Sequence, residues 1–235
     1  QRVVHHRLVV HRDQLFGDSE SDRVQASPRP AGKNDPFHAA MVAYADRPGS
    51  VWSGRGVSVH IVFACTGNIC RSPTAERLAE LHARRLGMSE FTMSSAGTHA
   101  VIGNPIHPSA AAVIQEFGGD VSGFAARQLT PRIASSADLI LTMGTPHRDA
   151  VLALAPQKLH RTFTLREAAI LITEYHARQL ADLATLRARL GDREPIDIPD
   201  PIGQDSDVFA QVGRQIAMLL TPVLELCFGS STANG

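Results

Sequence analysis

Val59-His60-Ile61-Val62-Phe63-Ala64 leads into Cys65-Thr66-Gly67-Asn68-Ile69-Cys70-Arg71-Ser72-Pro73: an apolar run, a turn-rich stretch, then serine before proline. The apolar run reads as a buried strand. Ser72 is placed to cap a helix whose first residue is Pro73. A cysteine, five residues and an arginine can close into a small loop between that strand and that helix. The loop's N–H groups then point inward, and its ends bring a thiol and a guanidinium to one focus. Amides and a helix N-terminus both favour an anion there. A thiol in that field loses its proton more readily than a free one. Such a loop binds a phosphate-like dianion and attacks it with sulfur.

Each residue of the loop has an expected part. Cys65 is the nucleophile. Arg71 holds two equatorial oxygens bidentately and follows them into the transition state. Thr66, Gly67, Asn68, Ile69, Cys70 and Ser72 form the binding set. Gly67 supplies an unusual φ, Asn68 holds the loop by side-chain bonds, and Ser72 donates to the thiolate. Cys70 either packs under the loop or approaches Cys65 closely enough for a reversible disulfide that shields the nucleophile from deeper oxidation. A thiolate attacking phosphorus also needs an acid for the departing oxygen. Asp200, stiffened by the following proline in Ile198-Pro199-Asp200-Pro201-Ile202-Gly203, is the expected acid, with Asp197 as the fallback.

The whole chain has 235 residues, with 23 Lys and Arg against 23 Asp and Glu. Neither a nucleic-acid surface nor a polybasic membrane patch is expected from that balance. No apolar run reaches the roughly 18–20 residues of a membrane span. The most apolar late stretch, 216–228, is broken by Thr221, Pro222 and Glu225 and reads as a core helix. Cys65, Cys70 and Cys227 are too few for a secreted disulfide framework, so reduced thiols and a cytoplasmic location are expected. Cys227 reads as a core residue. The chain begins with Gln1, as a fragment or processed form would. Residues 1–10 do not read as a signal peptide, because His and Arg interrupt their short apolar pieces.

Residues 1–57 show no sustained period of two or 3.6, and 27–36 is linker-like. We read them as a disordered extension with one short helix near 36–44. A domain follows over 58–229, then a tail at 230–235. Within the domain, strands are expected at 58–64, 91–95, 138–143 and 161–165. Helices are expected at about 73–87, 108–118, 130–135, 146–155 and 206–228, with 166–190 mostly helical. This alternation gives an α/β fold, an open parallel sheet with helices on both faces. Ligands then belong at the carboxyl ends of the strands, where the cysteine loop lies. The histidines lack metal-ligand spacing; His99 and Asn104, after the Gly97 turn, either line the mouth of the site or belong to a plain loop.

At these residues the sequence resembles the low-molecular-weight protein-tyrosine phosphatase family. Cys65 to Pro73 matches the family signature without a gap. Ser95-Ala96-Gly97-Thr98 resembles its second motif, Ser136 to Met143 its third strand, and Asp200-Pro201 its acid loop. In the larger tyrosine phosphatases the acid precedes the cysteine and a histidine stands just ahead of it; here the acid follows and Ala64 holds that place. The resemblance covers about 58–229. It implies a three-layer, four-stranded parallel sheet, a cysteinyl-phosphate intermediate, no metal or other cofactor, and a phosphorylated protein or small phosphomonoester as substrate. It sets no oligomeric state.

The chain departs from the family in three places, and at Ile69 it agrees with the tyrosine-directed members. Ile202-Gly203 stands where many members carry aromatics that guide a phosphotyrosine ring. Asp-Pro-x-Gly resembles a bacterial branch that includes protein-arginine phosphatases, yet Ile69 replaces the threonine that favours phosphoarginine there. The histidine that bonds the loop asparagine is replaced near Phe124. The stretch 170–193 is longer than the family leads one to expect. A phosphotyrosine-directed phosphatase is therefore the first reading and a phosphoarginine phosphatase the second. A thioredoxin-coupled arsenate reductase ranks third, because its disulfide relay needs more than Cys227 beyond the loop. A phosphate-binding module without activity would be expected to lack Cys65, Arg71 or Asp200.

Overall fold

The computed structural model describes residues 59–88, 91–191 and 197–229. The expected extension at 1–57, its short helix and the tail at 230–235 lie outside the described residues.

Strands β1 (Val59–Cys65), β2 (Phe91–Gly97), β3 (Leu139–Thr142) and β4 (Thr162–Thr164) form one parallel sheet in the order β2-β1-β3-β4. Helices α1 (Arg71–Arg85), α2 (Pro108–Glu116), α3 (Pro131–Ser136), α4 (Thr145–Leu154), α5 (Leu165–Thr173), α6 (Leu180–Leu186) and α7 (Ser206–Gly229) surround it.

Residues of β1 alternate between two cores, as a period of two requires. Ile61 and Phe63 face α1, α5 and α7; Val62 and Ala64 face the layer of α3 and α4; all four are fully buried. Burial on both faces is why the strand reads as one continuous apolar run. The expected three-layer α/β architecture is what the chain adopts. Among the described residues, no helix is long and apolar enough to cross a membrane.

Two local expectations need correction. Helix α1 begins at Arg71, not Pro73, and no side chain caps it; Ser72 is turned to other partners. Pro73 still fits, because the first four N–H groups of a helix have no intrahelical acceptor. The fourth strand is only Thr162–Thr164, preceded by a 3₁₀ segment, Pro156–Arg161. The stretch 166–190 breaks into α5, α6 and a 3₁₀ segment, Arg187–Leu190. His176 sits at φ 59° in the break, and Asp182 restarts the helix by accepting from the amides of Arg178 and Gln179.

This broken stretch guards the sheet edge. Arg187 stacks 4.0 Å from the Phe163 ring centroid and donates to the carbonyls of Leu159 and Thr162. One of those acceptors belongs to β4, the edge strand, whose free polar groups would otherwise invite foreign pairing. Arg187 thus gives this stretch a structural use.

Helices α2 and α7 cross so closely that a Cβ on Gly213 would lie 2.3 Å from Cγ1 of Val113. Val113 is β-branched and buried, so it has no room to retreat. Gly213→Ala should gain about 1 kcal/mol of helix propensity but lose roughly 1–3 kcal/mol to overpacking. The expected result is net destabilisation, read as a lower urea midpoint at unchanged m. A midpoint at or above that of the parent would contradict the close crossing.

Candidate active site

Between β1 and α1 the chain turns through Thr66–Cys70 with its carbonyls facing outward. Those of Cys65, Thr66, Gly67 and Ile69 accept from the amides of Thr98, His99, Val101 and His107 at 2.8–3.0 Å. In a trans peptide the C=O and the next N–H point in opposite directions. The amides of the residues that follow each of these carbonyls therefore turn into the loop, where an anion would sit.

The second motif explains itself in this contact. A Cβ on Gly97 would stand 2.4 Å from the Thr66 carbonyl oxygen and 3.0 Å from Ala100, so only glycine lets β2 end against the loop. Gln128 braces the same segment, accepting from the Ala100 amide and donating to the Thr98 carbonyl.

The unusual φ falls on Asn68, at 56°, and not on Gly67 as expected. Asparagine tolerates this region better than most side chains, and here its amide is tied at both ends. Nδ2 donates to Ser72 Oγ (3.0 Å) and Ser95 Oγ (2.7 Å), while Oδ1 accepts from the Arg127 amide (2.9 Å). Ser95 in turn donates to Glu76 on α1. Burial pushes the Glu76 carboxyl above its ordinary range, against the bond from Ser95 and the charge of Arg77. Phe124 does not take the place of a loop-bonding histidine; the Arg127 backbone does, and Phe124 lies under the Arg77 guanidinium.

Ser72 completes the line, with Oγ 2.9 Å from Cys65 Sγ. A hydroxyl there can donate to a thiolate, and Asn68 holds it in place. Glu76, Ser95, Asn68, Ser72 and Cys65 are thereby joined in one buried chain. Sequence reading found its Asn68–Ser72–Cys65 end. It missed Glu76, whose partner Ser95 is distant in the chain and becomes visible only once β1 and β2 are paired.

Arg71 is buried and converges on the same point. Its Nη1 donates to the Ile198 carbonyl at 3.1 Å and its Nη2 pairs with Asp200 Oδ2. The Asp200 carboxyl is about half exposed, at 47%, so it faces the mouth of the site. Its Oδ1 accepts from the Ile202 amide in a turn that Gly203, at φ 76°, completes. Asp197 is directed elsewhere: Oδ1 accepts from the amide and hydroxyl of Thr145 at the start of α4.

His147, on that same first turn, places Nε2 2.9 Å from Thr66 Oγ1. Burial first, then the Arg71 guanidinium, pushes its imidazole down to about 4, although Asp197 and Asp200 pull the other way. Sequence reading treated His147 as one scattered histidine; only the end of β3 brings it to the loop. His99 is exposed beside Thr66, in line with its expected place at the mouth.

Cys70 is buried with Ile69, Ile106, Ala110 and Phe209, and burial together with Cys65 and Asp200 pushes its thiol well up. Cys227 lies in the core against the sheet, pushed up to about 12 by burial. Among the described residues, no three His, Cys, Asp or Glu side chains gather as a metal would require.

Residues 60–226 match the model of the family described as low molecular weight phosphotyrosine protein phosphatase. The Escherichia coli K12 low molecular weight protein-tyrosine-phosphatase Etp is 41% identical over 102 residues, covering 43% of this chain and 66% of Etp. The probable low molecular weight protein-tyrosine-phosphatase EpsP of Ralstonia solanacearum is 39% identical over 160 residues, covering 66% of this chain and 90% of EpsP. Among solved structures, a mutant of the YwlE arginine phosphatase with a phosphorylated active-site serine superposes with a TM-score of 0.57. It is 26% identical, and the match covers 71% of this chain and 94% of that one.

Two measurements test the supports of the loop. Asn68→Gly keeps the backbone geometry and removes the bonds; Asn68→Ala removes both. Catalytic efficiency should fall by about 10–100-fold in the glycine variant and further in the alanine variant, as for small misplacements of reacting groups. A glycine variant equal to the parent would deny the side-chain network a part. For His147 the folded value near 4 lies below the ordinary 6.5, so the unfolded chain binds the proton first on acidification. Stability from keeping the ring neutral is complete above about pH 6.5 and is lost as pH falls toward 4. The urea midpoint of His147→Gln should therefore vary less over that window than the parent's; parallel curves would contradict the burial argument.

Proposed function

We propose, since this chain belongs to the low-molecular-weight phosphotyrosine protein phosphatase family, that it hydrolyses phosphotyrosine-type phosphomonoesters through a cysteinyl-phosphate intermediate. What supports this reading is that Cys65 and Arg71 end one loop whose carbonyls are held outward by the Thr98, His99, Val101 and His107 amides, with Asp200 paired to Arg71.

The Cys65 thiolate attacks phosphorus in line with the ester oxygen. The S–P bond forms as the P–O bond breaks. Loop amides and Arg71 hold the three non-bridging oxygens as charge spreads over them. Asp200 gives its proton to the departing oxygen. Water then attacks the cysteinyl phosphate and passes a proton back to Asp200. Sulfur leaves as the thiolate, with the Ser72 hydroxyl placed to receive its charge. Each residue of this cycle belongs to the chain, and no cofactor is called on.

Apolar side chains stand beside the loop. Cγ1 of Ile69 and Cγ2 of Val101 lie 3.5 Å from where a Cβ on Gly67 would be, and Ile102 projects from the adjoining loop at 70% exposure. The substrate is a phosphorylated protein or a small phosphomonoester in the cytoplasm, where the thiols stay reduced. Similarity to the YwlE arginine phosphatase keeps phosphoarginine as a second reading, and the aliphatic Ile69 weighs against it.

Trapping the phosphoenzyme decides between the two. Rapid quenching should show faster cysteinyl-phosphate formation from a phosphotyrosine peptide than from a matched phosphoarginine peptide; the reverse order would install the second reading. Cys65→Ser should abolish turnover and retain binding. Asp200→Ala should slow hydrolysis by about 10²–10⁴-fold for esters with poor leaving groups. An equal loss for activated esters would remove Asp200 from the acid role.

A further inference from the structure

The acid loop is fastened to the first turn of α4. Asp197 Oδ1 accepts from the Thr145 amide (2.8 Å) and hydroxyl (3.2 Å). The Ile198 amide donates to the Met143 carbonyl at 2.9 Å, and the Ile198 carbonyl accepts from Arg71. Ile198 itself is 2% exposed. Pro199 then fixes its own φ. Few soft torsions remain between the Asp197 carboxylate and the Asp200 carboxyl.

The same turn of α4 reaches the phosphate loop from its other side, through His147 and Thr66. It therefore spans from the acid loop to the residue next to the nucleophile. Gly144 leaves the necessary space: a Cβ there would lie 2.7 Å from both Cγ and Oδ2 of Asp197. Its φ of −177° is ordinary extended backbone, so glycine is needed at this position for the room it leaves.

We propose that Asp197 is a positioning residue for the reaction: by capping α4 it sets where the acid Asp200 stands over the phosphate loop. Its carboxylate bonds α4 while Asp200 alone pairs with Arg71, so the two aspartates divide the work of anchoring and proton transfer. The proposal rests on Asp200 being the acid.

Leaving-group selectivity and a conservative rescue test it together. Catalytic efficiency is measured with phenyl phosphate (poor leaving group) and 2,4-dinitrophenyl phosphate (good leaving group). Asp197→Ala should lower it by about 10–100-fold with the first and by less than about threefold with the second, because only the poor leaving group needs a well-placed acid. Asp197→Asn keeps an oxygen acceptor for Thr145 and should stay within about threefold of the parent with both esters, since Asn and Asp cap helices about equally. Gly144→Ala retains the Asp197 carboxylate but displaces it. It should reproduce the selective loss of Asp197→Ala, and it serves where the latter fails to fold.

An asparagine variant as impaired as the alanine variant would overturn the proposal, because Asp197 would then be needed for its proton or charge. Equal losses on both esters in Asp197→Ala or Gly144→Ala would reduce the contact to one of stability and also overturn it. Asp200→Ala separates the two failures. A selective loss there without one in Asp197→Ala sinks the positioning role alone. No selective loss there sinks the acid assignment, and with it the positioning role built on it.

Discussion

The Thr66 carbonyl against Gly97 is the contact on which the site depends. A strand that ends there can approach only because glycine has no Cβ to meet that oxygen. The approach brings the Thr98, His99 and Val101 amides into range of three successive loop carbonyls. Once those carbonyls are held outward, their partner amides have nowhere to point except inward. The anion-binding ring thus follows from pairing β2 with β1 in the observed register, in which Cys65 stands opposite Gly97. Charge then concentrates where α1 begins, and the helix N-terminus adds to the field.

A ring of amides favours any anion, so chemistry needs groups that act on one. Two sets of contacts supply them from opposite sides. On one side the buried chain from Glu76 through Ser95, Asn68 and Ser72 ends on the sulfur. On the other, Arg71 reaches up from α1 to the acid loop. The rigidity of both sets matters because a buried polar chain stabilises one arrangement only when every member is satisfied. Asn68 meets that condition with three bonds, which also hold its backbone in the left-handed region.

Much of this was legible before any coordinates. Four strands alternating with helices declared a parallel α/β sheet, and Cys65, Arg71 and Asp200 announced themselves by spacing and by the stiff Asp-Pro pair. What escaped was whatever depends on register between distant segments. Glu76 looked like one more polar residue on a helix until Ser95 lay beside it. His147 was lost among the scattered histidines because nothing in Gly144-Thr145-Pro146 says which loop the turn will face. Gly67 drew the expectation of unusual backbone on propensity alone, whereas side-chain bonds available only in the folded loop shift it to Asn68. Ser72 was read as a cap from local sequence, but the sulfur claims its hydroxyl. The extra length at 170–193 could be counted but not interpreted until Arg187 was seen on the edge strand.

The ion pair between Arg71 and Asp200 has a consequence for the order of events. Here the guanidinium serves the carboxylate; on the proposed reading it must serve the phosphoryl oxygens of the substrate as well. A dianion arriving there takes the guanidinium from Asp200 and sets its own charge against the carboxylate. Two negative groups sharing that space repel unless one carries a proton. On the proposed reading Arg71 stays with the phosphoryl oxygens until the cysteinyl phosphate is hydrolysed, so Asp200 meets the attacking water without its ion-pair partner. One arginine is thus shared between the proposed acid and the proposed substrate, and the acid loop and the occupant of the phosphate loop meet on the same guanidinium.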